Sequence, residues 1–446
     1  MSPPIRPGLP QNMRDYIPSS RHQEAAKGRI ATWYERASDG VSRNVKILLA
    51  TEPLWGIPVI WTRTYMSLFM AALGLSATQI GWIASLTLIS QMLVAPFGGY
   101  VADRFGRKRT LIFFDVIAWI IPPLIWMIAQ NVWYFAIAAV LNGFSMIISP
   151  SWNCLLVEDT HPARRPAVFA AFQLVVLGAG LFSPFSGWIV DGKGVVLGTR
   201  IIFGITGASI AIMTLSRALT IKETSVGAAL VDEFQGTSVK EALHNYRDAL
   251  AQGFKNRILF KLFLLSMINF AYVTIWNTYS ALYMTHAQGL NLSPGLVALW
   301  PTFSSIFIVL TLVLLVPRVR LEKLPHWLLL SSVLLACGVL IFMLTPQNAY
   351  AFLAISAILI AMGQALINPV RDTFIANIIE DRQRAPLMAA INSVSMIVLV
   401  PLTPLAGRLF ELNPQAPLTV LLVFLVIGVL AAGSLHRATL DPPVVE

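Results

Sequence analysis

The sequence predicts an all-α integral membrane protein with twelve transmembrane helices, arranged as two six-helix bundles. The first observation behind this prediction is composition. Of the 446 residues, 56% are hydrophobic and only 12% are charged, whereas soluble domains have roughly 45 to 50% apolar and about 25% charged residues. A mean hydropathy of +0.69 is too high for one buried core behind a charged exterior. We therefore expect lipid to surround most of the chain.

The second observation is the spacing of the apolar windows. A helix needs roughly 20 apolar residues to cross about 30 Å of hydrocarbon, and twelve windows have that length. In chain order, spans 1 to 12 are predicted over residues 50–72, 79–101, 109–129, 132–155, 166–189, 199–218, 260–284, 294–316, 325–345, 350–371, 386–406 and 416–436. An even number of spans places both termini on one side of the membrane.

The third observation is the position of the basic residues. Most of the 32 Lys and Arg residues lie in the tails and in the loops that follow even-numbered spans, whereas the opposite side holds Lys193, Arg200 and Arg408. Loops rich in Lys and Arg stay in the cytoplasm, so we expect a multi-pass protein of the cell membrane with both termini cytoplasmic. Basic loops at a membrane surface also account for the net charge of +10 without a nucleic-acid partner.

Interruptions between the spans divide the chain into five parts. These are a cytosolic N-terminal tail (1–48), an N-terminal six-helix bundle (49–218), a cytoplasmic central loop (219–259), a C-terminal six-helix bundle (260–436) and a cytosolic C-terminal tail (437–446). In the central loop, the stretch from Val239 to Phe254 has apolar residues near helical spacing. This pattern predicts an amphipathic helix on the membrane surface.

The two bundles are predicted to be related by an internal repeat. A shift of 220 residues places four residues of span 5 and its end on four equivalent residues of span 11: Pro166, Pro184, Gly187 and Asp191 on Pro386, Pro404, Gly407 and Glu411. Such echoes are typical of transporters built from two parallel repeats. They predict a pseudo-two-fold axis between the bundles.

The loop between spans 2 and 3 carries the most specific motif of the chain. It reads Gly99-Tyr-Val-Ala-Asp103-Arg104-Phe-Gly106-Arg107-Lys108, and it closely resembles the signature loop of the major facilitator superfamily, Gly-x-x-x-Asp-Arg-x-Gly-Arg-Lys. The resemblance implies alternating access, in which two six-helix bundles rock around a central cavity lined mainly by the first and fourth helices of each half.

The resemblance also implies a cytoplasmic gate. Asp103 and Arg107 are expected to tie the two halves together in the outward-open state, with Glu158 or Asp159 as possible partners. The full set of gating candidates is Gly99, Asp103, Arg104, Gly106, Arg107, Glu158, Asp159 and Arg371. The equivalent loop of the second half, residues 317–323, keeps positive charge but lacks the Asp and both glycines, so we expect an asymmetric gate.

Two further patterns bear on the subfamily and point in opposite directions. Span 5 contains Gly178-Ala-Gly180-Leu-Phe-Ser-Pro184-Phe-Ser-Gly187, which loosely resembles the signature of proton-driven drug antiporters. Small residues also allow close helix packing, which accounts for the same pattern. In span 4, such exporters carry an Arg four residues before a glycine, whereas here Ala139 precedes Gly143. Both interpretations stay open at this stage.

Polar side chains inside the spans are the candidates for solute binding, because such residues usually face the interior of a bundle. They recur at spacings of three and four, the period of one helix face. The predicted substrate-binding residues are Trp61 and Arg63 in span 1, Asn142 and Ser145 in span 4, Asn269, Tyr272 and Trp276 in span 7, and Gln364 and Asn368 in span 10. Arg63 lies near the middle of span 1, where it needs either an anionic group of the solute or a carboxylate from another helix.

Three carboxylates are candidates for ion coupling. They are Glu52, Asp115 and Asp372. A buried carboxyl group can carry a proton, but each of the three also lies near a basic loop or a membrane boundary. A structural or interfacial role is the alternative for all three.

These features predict a secondary active transporter that moves a small organic solute by alternating access, coupled to protons, and acts as a monomer in the lipid bilayer. One alternative is a multidrug/H⁺ antiporter that exports amphipathic compounds, and another is a membrane sensor or scaffold without transport. We expect no enzyme activity, no cofactor and no metal, because the chain contains no metal-ligand cluster, nucleotide-binding loop or nucleophile elbow. The substrate and the direction of transport are not predicted.

Overall fold

The computed structural model describes residues 40–232, 257–378 and 381–440. All regular elements in this part of the chain are helices. The predicted amphipathic stretch from Val239 to Phe254 lies outside the described residues. Large apolar side chains point outward in many places, and Trp133, Trp188 and Leu430 are 72%, 78% and 68% exposed. Lipid is the solvent that such a surface requires.

Each predicted window lies in helical residues, to within about a turn at its ends. The helices that contain spans 1 to 6 are Pro53–Ala72, Ala77–Val94 continuing to Gly98–Phe105, Arg107–Asp115 with Ile121–Met127, Val132–Gly143 with Ser145–Val157, Arg165–Gly178, and Ser183–Thr220. The helices that contain spans 7 to 12 are Arg257–Thr285, Leu299–Leu314, Leu324–Leu344, Tyr350–Ile378, Asp381–Leu412 and Ala416–Leu440. Two further helices, Arg43–Thr51 and Ser225–Asp232, flank the first half.

By length and hydropathy, ten helices of the described residues could cross a membrane. One of them, Pro162–Thr220, contains a non-helical residue at Gly194 (φ 77°), where the chain turns from span 5 into span 6. The helix of span 1, Pro53–Ala72, is not among the ten, because Arg63 and its threonine neighbours lower its hydropathy. The count of twelve spans therefore stays a prediction, whereas the all-α membrane fold is confirmed.

The halves meet along two pairs of helices that are related by the internal repeat. Span 2 packs along span 11, and span 5 packs along span 8. A large apolar cluster crosses this boundary and includes Tyr65, Phe69, Trp276, Tyr279 and Phe342. The packing places a cavity between the halves.

Local sequence signals fix where several helices begin. Ser76 accepts a hydrogen bond from the Gln79 amide, and the Gln79 side chain accepts one from the Ser76 amide, so span 2 starts with a capping box. Gly106 separates spans 2 and 3 with φ at 89°, a backbone conformation that glycine adopts without strain. We call the end of the molecule with the Gly106 turn the elbow end, and the end with the Gly194 turn the far end.

Candidate functional site

A cavity of about 340 Å³ lies between the two halves. Spans 1 and 5 of the first half and spans 7, 8 and 10 of the second half form its wall. The signature loop implied that spans 1, 4, 7 and 10 would line it. Span 4 contributes no residue to the described lining, so that part of the expectation is wrong, and spans 5 and 8 take its place.

Arg63 lies on the wall of this central cavity. Its side chain is exposed to the cavity, and no described residue forms an ion pair or hydrogen bond with its guanidinium. A guanidinium presents five donors in a planar fork that matches carboxylate or sulfonate oxygens. The cavity therefore contains one cationic group that is available to a ligand.

Aromatic rings surround the second-half side of the cavity. The Trp276 ring stacks on Tyr272 with centroids 5.6 Å apart and lies 5.2 Å from the ring of Trp300. All three residues line the cavity. Together with Trp55 of span 1, they give the site flat apolar walls.

Four of the nine predicted substrate-binding residues line the central cavity, namely Arg63, Tyr272, Trp276 and Gln364. Two others lie directly behind this wall. Gln364 donates to the Asn269 side chain at 3.1 Å, and Asn269 donates to the Asn368 side chain at 3.1 Å. This chain of amides fixes the orientation of Gln364 at the wall.

The other three predicted residues point elsewhere, each for an identifiable reason. The Trp61 indole donates to the Phe182 carbonyl at 3.0 Å, in the 3₁₀ turn that interrupts span 5. Asn142 donates to the Ala118 carbonyl at 2.9 Å, inside the π turn Val116–Ile120 of span 3, where the regular backbone pairing of the helix changes. Ser145 lines a different cavity within the first half.

This second cavity has a volume of about 180 Å³ and lies inside the first half. Its wall includes Glu52, Asp115 and Arg217, all of which are at least 96% buried. The Arg217 guanidinium donates to Glu52 Oε2 at 2.8 Å and to Thr51 Oγ1 at 2.9 Å. Glu52 is therefore one half of a buried ion pair rather than an interfacial charge.

Asp115 differs from Glu52 because one of its oxygens is unsatisfied. Asp115 Oδ2 is buried and has no hydrogen-bond partner among the described residues. A buried carboxylate without a partner is costly, so this position favours a bound proton or cation. Two carboxylates and one guanidinium thus share one small cavity.

Sequence reasoning missed Arg217. The predicted span 6, residues 199–218, includes this arginine in its last turn, but no binding or coupling role was predicted for it. In the structure it faces the interior of the first half, and its guanidinium carbon lies 4.7 Å from the centre of the Trp152 ring. Its spacing from the buried Thr206, Ile210 and Met213 follows one helix face, a signal that was available in the sequence.

The third coupling candidate, Asp372, is exposed and pairs with its neighbour Arg371 at 2.8 Å. Arg371 was predicted to gate the transporter, but its guanidinium is directed at this adjacent carboxylate. Neither residue lines the central cavity or the cavity inside the first half. Two adjacent opposite charges, about two turns before the helix ends at Ile378, satisfy each other locally.

At the elbow end, the bonds of the signature loop among the described residues go to the first half and to the segment that follows span 6. Arg107 is buried and binds Asp103 and Glu158, and Asp159 accepts from the Ser225 amide and hydroxyl. The expectation that these residues tie the two halves together concerned the outward-open state and stays a prediction, because in this arrangement no described bond of theirs reaches the second half. The reason is that their partners come from span 4 and from the segment after span 6, which occupies the groove beside the loop.

This segment, residues 221–232, is tied to the elbow by several hydrogen bonds. Glu223 accepts from the Arg107 amide at 2.9 Å and from the Lys108 amide at 3.0 Å, where a carboxylate satisfies the free donors of a helix start. Thr224 donates to Glu158, and Lys222 and Asn44 exchange two bonds.

Of the remaining signature positions, Arg104 donates to the Tyr100 hydroxyl at 2.8 Å. Gly106 requires its positive φ, and a side chain there would meet Glu223. Gly99 lies in a regular helix, and an added Cβ there would meet no atom within 4 Å, so the structure gives no steric reason for this glycine.

At the far end the halves are in direct contact. Asp191, at the end of span 5, accepts from the Gly295 amide at the start of span 8 at 2.9 Å. Glu411, at the end of span 11, accepts from the Thr78 amide at the start of span 2 at 2.8 Å. We call these two contacts, Asp191 to Gly295 and Glu411 to Thr78, the far-end clasps. They are equivalent under the predicted repeat, because a shift of 220 residues places Asp191 on Glu411. The Tyr65 hydroxyl adds a bond to the Pro294 carbonyl at 3.2 Å.

Comparisons with known proteins agree with this architecture. The model of the Major Facilitator Superfamily matches residues 57–325. The chain is 23% identical over 354 residues to Multidrug resistance protein 2 of Bacillus subtilis, covering 79% of this chain and 85% of that protein. It is 22% identical over 402 residues to the quinolone resistance protein NorA of Staphylococcus aureus, covering 84% and 92%.

A solved structure gives the same result for the fold. The nucleoside transporter NupG superimposes with a TM-score of 0.67 and 16% sequence identity, over 90% of this chain and all of that one. The family model covers more than half of the chain and includes the signature loop and most of the wall of the central cavity. The chain therefore belongs to the Major Facilitator Superfamily and is a multi-pass membrane transporter rather than an enzyme.

Proposed function

We propose that this transporter moves a small organic solute by alternating access, with the central cavity as its binding site and with proton coupling. The observation that carries the proposal is that both halves line the cavity while the repeat-related clasps of Asp191 and Glu411 close its far end. Separation of the clasps would open the far end without rebuilding either half. Alternating access requires such a movement of one repeat against the other.

The distribution of Lys and Arg supports a cytoplasmic elbow end and a location in the cell membrane, with both termini cytoplasmic. In this orientation the far-end clasps face outward, and the present arrangement is the inward-facing one. The hydrogen bonds of the signature loop to span 4 and to residues 221–232 then belong to the inward-facing state. A monomer suffices, because one chain supplies both halves of the cavity.

Proton coupling is supported by the second cavity. Asp115 has an unsatisfied buried oxygen, whereas Glu52 is held by Arg217. Proton binding at Asp115 would remove a buried charge in one step of the cycle and restore it in another. Asp115 is therefore the proposed proton carrier, and Glu52 and Arg217 set the charge around it.

The test uses the full chain in sealed proteoliposomes with three labelled probes: 1-naphthalenesulfonate, ethidium and uridine. We expect at least one probe to exchange by counterflow and to accumulate when a pH gradient is imposed. Asp115→Asn should abolish accumulation and keep exchange, whereas the matched control Asp372→Asn should keep both. Accumulation by the unmodified protein that ignores the pH gradient and the membrane potential would refute the coupling.

Export of amphipathic drugs is the second candidate, because two relatives carry names of drug-resistance proteins. The glycine-rich span 5 gives this candidate little independent support. Gly180 and Gly187 lie against span 8, where an added Cβ would come within 2.7 Å of the Pro301 carbonyl and 2.5 Å of the Gly295 carbonyl. Close packing accounts for both glycines. Competition by many unrelated cations for ethidium flux would favour the drug exporter.

A further inference from the structure

We infer that the transported solute is an organic anion with a flat aromatic body, whose anionic group binds Arg63 and whose ring contacts Trp276 and Trp300. The inference rests on the proposed function and names the chemical class of its substrate. It is carried by three observations on the central cavity: its charge, its unsatisfied polar atoms and the shape of its walls.

The charge of the cavity selects the sign of the solute. Among the described residues that line it, Arg63 is the one charged side chain, and the other polar ones are neutral, such as Asn277, Ser280 and Gln364. A cationic solute would enter a cavity whose fixed charge repels it. The carboxylates that could attract a cation, Glu52 and Asp115, line the separate cavity inside the first half.

The unsatisfied atoms indicate what the solute must supply. The Arg63 guanidinium has no acceptor among the described residues, and its side chain is open to the cavity, so a solute that fills the cavity and removes this exposure must supply the acceptor. The hydroxyl oxygen of Ser304 is also buried at this wall without a hydrogen-bond partner. Carboxylate and sulfonate groups offer two or three acceptor oxygens and form charge-assisted hydrogen bonds with a guanidinium. A neutral solute would leave the guanidinium uncompensated.

The walls indicate the rest of the molecule. Trp276 lies between Tyr272 and Trp300, at centroid distances of 5.6 and 5.2 Å, and Trp55 lies on the first-half side. Flat indole faces favour flat apolar ligands. The volume of about 340 Å³ is at the lower end of the range for ligand pockets, so one or two fused rings fit better than a large drug.

The experiment measures binding to the purified full chain by calorimetry, with 1-naphthalenesulfonate, the neutral isostere 1-naphthalenesulfonamide and ethidium as probes. We expect the sulfonate to bind more tightly than the other two. Arg63→Gln should weaken sulfonate binding by about tenfold to a hundredfold, the value of a charge-assisted hydrogen bond. The same variant should leave the neutral isostere nearly unchanged, and Trp276→Ala should weaken both.

Two variants serve as controls. Arg200→Gln removes an arginine that donates to the Ala129 carbonyl at the far end, outside the cavity, and should leave sulfonate binding unchanged. Arg63→Lys keeps the charge but not the fork, so it should lose less affinity than Arg63→Gln. It also provides a folded comparison if the glutamine variant is unstable.

The outcomes separate this inference from the proposed function. Sulfonate binding that is absent in the unmodified protein, or that survives Arg63→Gln, overturns the anion assignment, whereas counterflow of ethidium or uridine would still support transport. Sulfonate binding that depends on Arg63, with no flux of any probe in proteoliposomes, would support the site and refute transport. Tight ethidium binding unaffected by Arg63→Gln would also overturn the inference in favour of a cationic substrate.

Discussion

Replacement of Gly407 by alanine tests whether the far-end contact decides which side of the cavity is open. A Cβ at Gly407 would lie 2.6 Å from the Ala77 carbonyl carbon and 2.7 Å from Thr78 Cα. Ordinary contacts between carbon atoms are about 3.5 to 4.0 Å. Span 2 belongs to the other half of the molecule. Its main chain must therefore move away from span 11 by about 1 Å.

The magnitude follows from the cost of overpacking. Insertion of a methyl group into a packed interface costs about 1 to 3 kcal/mol, and this cost applies only while the far end is closed. Alanine also stabilises a helix by about 1 kcal/mol over glycine, but span 11 is helical in both arrangements, so this gain cancels. The equilibrium should move away from the closed far end by about 5- to 150-fold.

The internal repeat provides an equivalent substitution in the first half, and another glycine of span 5 provides a control. Gly187 of span 5 is the equivalent of Gly407, and its added Cβ would lie 2.5 Å from the Gly295 carbonyl oxygen. Gly187→Ala should therefore shift the same equilibrium in the same direction. An alanine at Gly178, also in span 5, would meet no atom within 4 Å, and this variant should behave like the unmodified protein.

The assay measures distances between spin labels in a lipid bilayer, after replacement of Cys154 and Cys337. One pair of labels at the exposed Gln130 and Gln288 reports on the far end, and a second pair at Ala163 and Glu322 reports on the elbow end. We expect Gly407→Ala to lengthen the first distance and shorten the second. Unchanged distance distributions in both folded alanine variants would refute the reasoning that these glycines set the equilibrium.

Three further predictions concern charged groups. Arg217→Ala leaves the Glu52 carboxylate buried without its partner, so it should lower the free energy of unfolding by about 3 to 5 kcal/mol. Thermal unfolding in detergent measures this loss of stability. An equal loss in the Glu52→Gln/Arg217→Met double variant, which has no buried charge at either position, would contradict the prediction. Glu223→Ala removes the acceptor from two amides at the start of span 3, so it should lower the free energy of unfolding by about 0.5 to 2 kcal/mol and speed trypsin cleavage at the elbow. Glu223→Gln keeps an acceptor and should be cleaved more slowly than the alanine variant. Asp191→Asn combined with Glu411→Gln removes negative charge from two helix starts, and each charge is worth about 0.3 to 1 kcal/mol. The distance between the far-end labels should therefore lengthen more in the double variant than in either single variant. A double variant with the same label distance as the unmodified protein would contradict the prediction.

The fold and the repeat were predictable because they depend on local and periodic signals. The spans were recognised from apolar windows long enough to cross the membrane. Gly106 was recognised as part of the signature loop, and the turn there has the positive φ that glycine allows. The shift of 220 residues that paired Asp191 with Glu411 agrees with the contacts of the two carboxylates in the structure. In both cases a carboxylate accepts from the first amides of a helix in the other half.

The candidate site was predictable only in part, because periodicity identifies a polar face but not the direction in which that face points. On span 7 the face with Tyr272 and Trp276 is directed at the central cavity. On span 4 an equally regular face with Asn142 and Ser145 is directed into the first half. The neighbours that decide this, such as the π turn of span 3, arise from tertiary packing. Arg217 was missed because it lies in the last turn of the predicted span 6, where an arginine is expected to face the cytoplasm.

Trp55 lines both the cavity between the halves and the cavity within the first half, and its ring meets Trp119 edge to face at a centroid distance of 5.2 Å. This indole therefore lies between the two cavities. Displacement of this ring by the proposed solute would change the space around Asp115, and the proposed change of charge at Asp115 would act back on the ring. Because binding free energies are reciprocal, each ligand would alter the affinity of the other by the same factor through this single side chain.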